Sequence, residues 1–534
     1  MRRTETVDAV VVGAGPAGLA ATAALAGHGF TVRLIDEQPA VGGQIWRGAT
    51  SGPTGSTALT GAREVRVART AAEARGLPGV AYAAGATVID ARTGGKTGGE
   101  TGDGAVEVTW LASGRTSGAG APAAPSRGLH DTRARALVVA TGAAERPLLF
   151  PGATLPGVMG VGAVQGAMKQ SRLVPDGPGV VLAGHGPLLA LTLRQIRRLG
   201  GRPDAVLDLA PAASSPRARL ALAGDLVRAA RADPVLLARG IALLSAGRGV
   251  PRHADVRALR AHGERAVEGI SFESGGERHE LPCRLLAVHD GVVPNVQLTR
   301  LLGLEHRWHA GQQAFVPVTG ETGRAGGRAV WIAGDGGGIA GAPLATSRGR
   351  LAGLDVVLAL RASTVSPADE ASVEVHRLRR AIARRLPARR LVDRLYPALP
   401  IGRHATPGTI VCRCEAVTLE TIERAIAAGA IGANRVKTFT RCGMGACQGR
   451  GCSNALTRIV AERLGIEPDV AGALRVRPPL KPTLIGDYLA GEALGDAGTP
   501  DAAASLVPAP APSANPSANP SAALPGTATA GGRP

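Results

Sequence analysis

The chain has 534 residues, too long for one compact core, and its 45% hydrophobic content with 75 glycines and 38 prolines is typical of a soluble, turn-rich protein of two to four domains. Six cysteines in so long a chain exclude a secreted disulfide framework. The formal net charge is +19, but only 2% of the residues are aromatic, so a nucleic acid would find few stacking partners.

The chain begins with MRR and an apolar run, a combination that resembles a signal peptide. Glu5 and Asp8 interrupt the basic region, however, and glycines at fixed spacing explain the apolar run better. No other window has the ~18 uninterrupted apolar residues of a membrane span. We therefore expect a cytoplasmic protein.

Residues 7–12 form an apolar run typical of a strand buried on both faces of a parallel sheet. An alanine-rich helix is predicted next, and residues 31–37 form the following strand. The turn between the first strand and the helix carries Gly13, Gly15 and Gly18, which is the spacing of a dinucleotide-binding fingerprint. This pattern predicts a pyrophosphate at the N-terminus of the helix.

Asp36 ends the second strand about where a ribose-binding carboxylate belongs, and Glu37 is the alternative.

Further along the chain, residues 92–104 and 113–128 have loop compositions and flank a strand. We interpret them as expanded hairpin loops. A strand at 136–142 closes the first half of the chain.

Residues 179–208 repeat the opening pattern of apolar strand, glycine-rich turn, helix and strand. The turn supplies Gly184 and Gly186, but Leu189 occupies the place of the third glycine, where it should hold the helix away from the strand and crowd a pyrophosphate. Asp208 ends the next strand and would suit a ribose. Either an adenine nucleotide binds here in altered geometry or the unit is a structural relic, and we favour the absence of a working NAD(P)H site.

Three segments, DEQPAVGGQIW (36–46), ALVVATGA (136–143) and VWIAGDGGG (330–338), resemble the signatures of two-dinucleotide-domain flavoproteins similar to glutathione reductase. The resemblance implies FAD, with a glycine pair beside it, a Thr-Gly at the crossing between domains and an aspartate on the ribityl chain. The residues so implied are Gly42, Gly43, Thr141, Gly142, Gly334 and Asp335. No cysteine precedes Cys283, so we expect no dithiol chemistry at this flavin.

Residues 361–405 form a basic connector in which arginines are densest at 376–394. We interpret this segment as a solvated, arginine-rich helix pair broken at Pro387. A surface for an acidic protein partner is the second interpretation.

Five of the six cysteines lie in one short window near the C-terminus. Cys412 and Cys414 are two residues apart, so in an extended segment both side chains point to one side. Downstream, Cys442, Cys447 and Cys452 are separated by four residues each, and the glycines among them permit a curled loop that aims backbone N–H groups at the sulfurs. A 2Fe–2S cluster is favoured, a structural zinc fits this spacing poorly, and free thiols are the third interpretation.

This window resembles the small 2Fe–2S module related to bacterioferritin-associated ferredoxin. With the flavoprotein ahead of it, residues 5–485 resemble the larger flavin subunit of heteromeric bacterial opine and hydroxyproline dehydrogenases and of hydrogen cyanide synthase. The resemblance implies two partners: a D-amino-acid-oxidase-like FAD subunit, together with a small ferredoxin-like subunit. It leaves Cys442 as a neighbouring fifth thiol, and the implied cluster ligands are Cys412, Cys414, Cys447 and Cys452.

A flavin accepts two electrons and can release them singly, whereas a 2Fe–2S cluster carries one at a time. We therefore expect an FAD-dependent oxidoreductase that splits electron pairs into single electrons. The resemblance implies that it is a subunit relaying electrons in an amino-acid or opine dehydrogenase, for instance one acting on D-hydroxyproline. One alternative is a self-sufficient NAD(P)H-dependent reductase, and a second is a zinc-stapled, non-enzymatic scaffold. The sequence shows no convincing catalytic constellation, and His185 and His289 are interpreted as structural.

The expected fold class is α/β, with two Rossmann-like dinucleotide-binding domains similar to glutathione reductase, followed by a small α-helical 2Fe–2S domain. In order, we expect a discontinuous FAD-binding domain, a degenerate second dinucleotide-binding domain, the basic connector, the 2Fe–2S module, an extended closing segment and a disordered tail rich in Pro, Ala and Ser. Their predicted bounds are 1–175 with 281–360, 176–280, 361–405, 406–470, 471–495 and 496–534.

Overall fold

The computed structural model describes residues 4–49, 59, 61–94, 105–112, 126–210, 216–244, 247–361 and 369–489. The predicted tail, 496–534, and most of the predicted hairpin loops at 92–104 and 113–128 lie outside these residues. Among the described helices, none has both the length and the apolar character needed to cross a membrane.

Strands and helices alternate at the start of each parallel sheet, and runs of consecutive strands or helices make up much of the rest of these residues. The strands are β1 (Thr4–Val12), β2 (Val32–Asp36), β3 (Val80–Ala84), β4 (Ala86–Thr93), β5 (Val106–Ala112), β6 (Gly128–Val139), β7 (Ala143–Glu145), β8 (Val158–Gly160), β9 (Val180–Gly184), β10 (Ala205–Asp208), β11 (Arg252–His253), β12 (Arg257–His262), β13 (Gly269–Ser274), β14 (Glu277–Pro282), β15 (Leu285–His289), β16 (Val292–Pro294), β17 (His306–His309), β18 (Ala314–Pro317), β19 (Val330–Ile332), β20 (Ile410–Cys412) and β21 (Val417–Thr418). The helices are α1 (Pro16–Gly27), α2 (Ala62–Ala72), α3 (Val161–Ser171), α4 (Pro187–Arg198), α5 (Pro216–Ala232), α6 (Pro234–Leu244), α7 (Gln297–Leu301), α8 (Ala342–Leu360), α9 (Glu370–Leu395), α10 (Leu419–Ala427), α11 (Ala433–Thr440), α12 (Ser453–Leu464), α13 (Pro468–Ala471) and α14 (Ile485–Leu489).

The first sheet has the strand order β3-β2-β1-β6-β5-β4, with β19 paired to β6. Strand β1 runs parallel to β2 and β6, and Val10 and Val11 are fully buried on its opposite faces. One face is covered by α1 and α8, which approach so closely that a Cβ on Gly349 would overlap the backbone of Ala17. The strand buried on both faces, expected from its continuous apolar sequence, is therefore present.

The second sheet is parallel, with the order β11-β10-β9-β15-β8. Because side chains alternate along a strand, Leu182 of β9 packs against α3 and α4, while Val181 and Ala183 pack towards the antiparallel sheet β12-β13-β14. The predicted internal repeat is present as β9, a glycine turn, α4 and β10. The bounds given to the domains stay predictions.

Two short strands connect the sheets. Strand β7 follows the first sheet, β16 follows the second, and the two pair antiparallel. The hydroxyl of Thr141 donates a 3.0 Å hydrogen bond to the carbonyl oxygen of Asn295, and the backbone N–H of Arg146 donates one of 3.0 Å to Gly291. These bonds hold the carboxyl ends of the two sheets next to each other.

Helix α9 continues through Pro387, so the prediction of a helix pair broken at that residue is wrong. A proline inside a helix costs about 3 kcal/mol because it removes one N–H donor and crowds the preceding turn. Beyond the proline, Ala388 and Leu391 pack into a small buried cluster, and Arg394 forms an ion pair with Asp225, so contacts with α5 offset this cost. Several arginines of α9 are paired within the chain: Arg377–Glu374, Arg379–Glu321, Arg385–Asp233, Arg389–Asp393 and Arg394–Asp225.

The C-terminal module consists of the β20–β21 hairpin and helices α10 to α13 around their own apolar core. Helix α10 begins at a cap, where the Thr418 hydroxyl accepts a hydrogen bond from the backbone N–H of Thr421. Leu456 and Val460 of α12 are fully buried together with Cys442 and Cys452. A small, mostly helical unit thus surrounds the cysteines.

Candidate functional site: a dinucleotide cavity beside a cysteine cluster

A cavity of 1490 Å³ opens where the carboxyl ends of the two parallel sheets meet. Residues that follow β1, β6, β19, β9 and β15 all line it. Typical ligand pockets have volumes of roughly 300–1,000 Å³, so this one has room for an extended ligand. Its position is the one at which doubly wound α/β folds bind nucleotides.

The first glycine turn forms one wall of the cavity from bare backbone. Gly13 has a φ of +105°, and a Cβ there would overlap the carbonyl oxygen of Ala140. A Cβ on Gly18 would overlap the carbonyl oxygen of Gly13, so α1 packs directly on the turn. Across the wall, a Cβ on Gly43 would lie 2.9 Å from the Cα of Gly15. The residues present fit a pyrophosphate at the N-terminus of α1.

Two carboxylates lie at the end of β2, and they differ in environment. Asp36 is 7% exposed and accepts hydrogen bonds from the backbone N–H groups of Ala14 and of Gln38 at 2.7 Å. Burial raises the pKa of Asp36, although these bonds and the charge of Lys481 act in the opposite direction. Glu37 is exposed and forms an ion pair with Lys481. Asp36 is thus fixed to the glycine turn, whereas Glu37 is held by the closing segment.

Thr141, Gly142 and Asp335 also line this cavity, and the backbone of Thr141 lies next to Gly13. The Asp335 carboxylate accepts hydrogen bonds from the backbone N–H groups of Ala340 at 2.8 Å and Gly341 at 3.2 Å, immediately before α8. The first residues of α8 also line the cavity, so the positive end of a 19-residue helix faces it.

The predicted dinucleotide residues separate into two groups. Gly18, Gly42 and Gly334 do not line the cavity and pack against the first glycine turn and α1 instead. The backbone N–H of Gly42 donates a 2.8 Å hydrogen bond to the carbonyl oxygen of Ala14. A Cβ on Gly334 would lie 2.7 Å from the Cβ of Ala17, and a Cβ on Gly18 would overlap the carbonyl oxygen of Gly13. Their contacts with a bound cofactor stay predictions. The predicted residues that line the cavity are Gly13, Gly15, Asp36, Glu37, Gly43, Thr141, Gly142 and Asp335.

The second dinucleotide unit departs from the first where the sequence indicated. Leu189 is 6% exposed and belongs to the apolar core between α3, α4 and the sheet. Where the equivalent residue is Gly18, the helix touches the turn, and a leucine cannot permit that approach. Asp208 forms an ion pair with Arg252 and does not line the cavity. Its carboxylate is therefore already bound.

A cluster of cations beside α3 and α4 is not indicated by any motif in the sequence. Arg47, Lys169, Arg194 and Arg198 all line the cavity. The Lys169 ammonium donates hydrogen bonds to the backbone carbonyls of residues 44 and 45 at 3.0 and 3.2 Å. Burial, and secondarily the charge of Arg47, lowers the pKa of Lys169 to about 8. Arg47, Lys169 and the pair on α4 come from three separate segments and share no motif, so no local signal could have revealed the cluster.

The five C-terminal cysteines converge on one place. The Sγ atoms of Cys412, Cys442 and Cys452 lie within 4.8 Å of one another and are all buried. Cys414 is exposed, Cys447 is half-buried, and their thiols are hydrogen-bonded to each other. Four thiolates are enough for a 2Fe–2S cluster, so the residues present fit one. The set of four that binds it, predicted to omit Cys442, stays a prediction.

Backbone N–H groups point at these sulfurs, as the glycines of the loop indicated. Cys412 accepts hydrogen bonds from Gly443 and Glu415, and Cys447 accepts them from Gly451 and Gly449. Burial raises the pKa of Cys412. Burial also acts to raise the pKa of Cys447, but its backbone hydrogen bonds and the thiol of Cys414 lower it overall. The loop is prepared to stabilise negative charge on sulfur.

Arg450 joins the two sites, although no motif in the sequence marks it. It lies between Cys447 and Cys452, lines the dinucleotide cavity, and donates a 3.1 Å hydrogen bond to the carbonyl oxygen of Leu480.

Cys283, the one cysteine outside the C-terminal window, is 1% exposed in the core of the second unit, with a pKa raised to about 11 by burial. That thiol lies away from the cavity, as expected for a small apolar residue.

Comparison with known proteins gives two family matches. Residues 410–462 match the BFD-like 2Fe-2S binding domain, and residues 11–67 match an NAD(P)-binding Rossmann-like domain. The A subunit of opine oxidase from Agrobacterium tumefaciens is 38% identical over 90% of this chain and 91% of its own length. The HcnB subunit of hydrogen cyanide synthase from Pseudomonas aeruginosa is 30% identical over 89% of this chain and 96% of its own length.

Among solved structures, an L-proline dehydrogenase from P. horikoshii superposes with a TM-score of 0.62 at 19% identity, covering 91% of this chain and 80% of that one. This likeness concerns the fold alone. Together the matches confirm the predicted fold class, with Rossmann-like units and a small helical 2Fe–2S domain, and the predicted cofactors, FAD and a 2Fe–2S cluster.

Proposed function

This chain belongs to the family of opine oxidase A subunits and hydrogen cyanide synthase HcnB subunits, and we propose that it is the electron-relay subunit of a heteromeric dehydrogenase. The chain is an oxidoreductase subunit that uses a flavin and a 2Fe–2S cluster. The proposed substrate class is opines and amino acids, with D-hydroxyproline as one example. Relatives named for opine oxidation, at 35–38% identity, support that class.

One observation carries the relay proposal: Arg450 belongs both to the cysteine loop and to the wall of the dinucleotide cavity. A bound FAD takes up electrons in pairs, and a 2Fe–2S cluster carries them singly. In this chain the glycine turn and Asp36 would hold the dinucleotide, and Asp335 would orient its ribityl chain. The apolar core around Cys412 and Cys452 keeps water from the buried side of the cysteines.

We further propose that the substrate is oxidised in a separate subunit, similar to D-amino acid oxidases, and that a small ferredoxin-like subunit completes the complex. Both families of relatives are named as subunits of larger enzymes, which supports an assembly of several chains.

A self-sufficient NAD(P)H-dependent reductase is the second candidate, because Lys169, Arg194 and Arg198 give the second unit a cationic wall. Two observations weigh against it. Leu189 prevents close approach of α4 to the glycine turn, and Asp208 is paired with Arg252. A zinc-stapled scaffold is disfavoured by the 2Fe–2S family match over residues 410–462.

The test is an anaerobic absorbance titration of the purified chain with NADH, then NADPH, then dithionite, with EPR spectra at each end point. For a relay subunit we expect flavin bands that stay oxidised with both nicotinamides and a rhombic 2Fe–2S signal after dithionite. Rapid bleaching by either nicotinamide would instead establish the reductase. A chain purified without flavin bands or without the EPR signal would contradict both.

A further inference from the structure

Glu145 and His289 form a hydrogen-bonded pair on the wall of the dinucleotide cavity. The Nδ1 of His289 lies 2.8 Å from the Oε1 of Glu145, and both residues line the cavity. His289 is the last residue of β15, at the carboxyl edge of the second sheet, while Glu145 lies three residues beyond Gly142. The side chain of His289 is 3% exposed and that of Glu145 is 25% exposed. The pair thus combines a buried imidazole with a carboxylate that faces the cavity.

The carboxylate of Glu145 is held in place by the start of α3. Its Oε2 accepts a 2.8 Å hydrogen bond from the backbone N–H of Gly162. A Cβ on Gly162 would lie 2.7 Å from that oxygen, and a Cβ on Gly160 would overlap it, so a side chain at either glycine would displace the carboxylate. The positive end of α3 also favours a negative charge at this point. The glycines and the helix form a built seat for the carboxylate.

The seat determines how His289 presents its other nitrogen. An ionised carboxylate only accepts hydrogen bonds, so the hydrogen of a neutral imidazole lies on Nδ1 and the lone pair on Nε2. A Cβ on Gly186 would lie 4.0 Å from the Nε2 of His289, so Nε2 lies beside the second glycine turn. The same Cβ would lie 3.9 Å from the Cγ of Tyr396. Within the described part of the chain, no hydrogen bond to Nε2 is made. An imidazole arranged in this way is able to accept a proton from the cavity.

The other titratable or charged groups around the pair are His185, Asp290, Arg146 and Tyr396. His185 and Arg146 lie 3.4 and 3.6 Å from the carboxylate of Asp290. Burial alone would raise the pKa of Asp290, but the hydrogen bond from His185 and the charge of Arg146 lower it. Burial raises the pKa of Tyr396, so the phenol stays neutral near pH 7. His185 also lines the cavity, but its partner, Asp290, does not, whereas His289 and its partner Glu145 both do. His289 is therefore the imidazole whose whole pair belongs to the cavity wall.

We propose that His289, positioned by Glu145, accepts the protons released when a reduced flavin in this cavity gives up its electrons. This inference rests on the proposed relay function. FADH2 that returns to FAD loses two electrons and two protons; the cluster takes the electrons one at a time and takes no proton. Nε2 of His289 accepts a proton and passes it to water in the cavity before it accepts the second.

A purely structural role as a tie between the two connecting strands is less well supported. Arg146 already joins those connectors, because its guanidinium donates a 2.6 Å hydrogen bond to the carbonyl oxygen of Asp290 and its backbone N–H bonds to Gly291. The connectors are further joined between Thr141 and Asn295. A further hydrogen bond between Glu145 and His289 is not needed to hold the connecting strands together. A structural role also does not explain why the Nε2 of His289 makes no hydrogen bond within the described part of the chain.

The experiment measures flavin reoxidation in the full-length, FAD- and cluster-loaded chain after dithionite reduction. Ferricyanide, an acceptor of electrons without protons, is mixed in a stopped-flow instrument between about pH 5.5 and 8.5, the range in which an imidazole titrates. In the wild type we expect a rate that rises with pH through one ionisation. In His289→Gln we expect a rate lower by about 10²-fold and independent of pH. Free imidazole should restore the rate in His289→Ala.

Glu145→Gln provides the second variant, because an amide stabilises the protonated ring less and should move the ionisation to lower pH. His262→Gln is the matched control: its imidazole is exposed, bonds to Ser271 at 2.7 Å and lies outside the cavity. Wild-type pH profiles in His289→Gln and Glu145→Gln, with flavin and cluster loaded, would overturn the assignment and leave the relay function standing. A wild-type chain without bound flavin would instead contradict the proposed function itself. If the His289 variants fail to fold, the Glu145→Gln profile decides alone.

Discussion

Arg450 donates a 3.1 Å hydrogen bond to the carbonyl oxygen of Leu480, and the backbone N–H of Leu480 in turn donates a 2.8 Å hydrogen bond to Ile89 in the first sheet. The cysteine loop, the closing segment and the dinucleotide unit are therefore joined through two consecutive bonds. The next residue, Lys481, adds an ion pair with Glu37 at the end of β2. The closing segment thus connects one part of the dinucleotide cavity to the predicted cluster.

Replacing Arg450 by Gln should lower the reduction potential of the cluster. Its positive charge lies beside Cys447 and Cys414 and favours the more negative, reduced state. Loss of that charge should disfavour reduction by on the order of 1 kcal/mol. An EPR-monitored redox titration measures the shift. Arg441→Gln is the control, because the Arg441 side chain is 67% exposed and solvent screens its charge. Equal shifts of the reduction potential in both variants would contradict a special role for Arg450.

The glycines of the first turn should respond differently to alanine. Gly18→Ala forces a Cβ into the carbonyl oxygen of Gly13, so it should destabilise the first sheet by about 1–3 kcal/mol and remove bound FAD. Gly15→Ala meets only the Cα of Gly43 at 3.8 Å, so it should fold normally and weaken FAD binding alone. Urea unfolding and flavin content after gel filtration separate these effects. Gly27→Ala, which meets no atom within 4 Å, should leave both unchanged.

The two candidate ribose carboxylates also make distinct predictions. Asp36→Asn should raise the dissociation constant of FAD by at least about tenfold, because the amide keeps only one of the two acceptor oxygens that bond Ala14 and Gln38. Glu37→Gln should change it much less, since Glu37 is exposed and its partner is Lys481. Quenching of flavin fluorescence during titration of the apoprotein measures both constants. A larger effect of Glu37→Gln would reverse the assignment.

Acid should destabilise the chain through buried histidines. Burial, with the nearby charge of Arg300, lowers the pKa of His306 to about 4, whereas an unfolded histidine titrates near 6.5. Below about pH 6.5 the unfolded state binds a proton that the folded state does not, so this stability is complete above pH 6.5 and is lost as the pH falls towards 4. Between pH 7 and 5 the loss should be about 1–2 kcal/mol for this residue.

Urea unfolding of His306→Gln and of His376→Gln tests the acid prediction. The first variant should show a smaller drop in unfolding free energy between pH 7 and pH 5 than the wild type. The second replaces an exposed histidine of α9 and should behave as the wild type does. An unchanged pH dependence in His306→Gln would show that this residue does not contribute.

The features that sequence could predict are those carried by neighbouring residues. The glycine turn at Gly13 and the cysteine loop follow from backbone conformations that only short, glycine-rich segments adopt. The Glu145–His289 bond joins residues 144 apart, and the bond from Arg450 to Leu480 joins residues 30 apart, so no local pattern marks either. Pro387 shows that a local signal can also mislead. Proline tends to break a helix, but packing against α5 overcomes that tendency here.

Single cysteine-to-serine variants test the predicted ligand set. Cys442→Ser should retain the 2Fe–2S cluster, whereas Cys412→Ser, Cys447→Ser and Cys452→Ser should each lose most of it, because three thiolates cannot complete the coordination. The comparison is sharp because Cys442 lies as close to Cys412 and Cys452 as ligands of one cluster would, all within 4.8 Å. Iron content and the EPR signal of the reduced protein measure retention, and Cys283→Ser, outside the module, is the control. Loss of the cluster in Cys442→Ser with retention in Cys447→Ser would exchange the two assignments and place the cluster on the buried side of the loop.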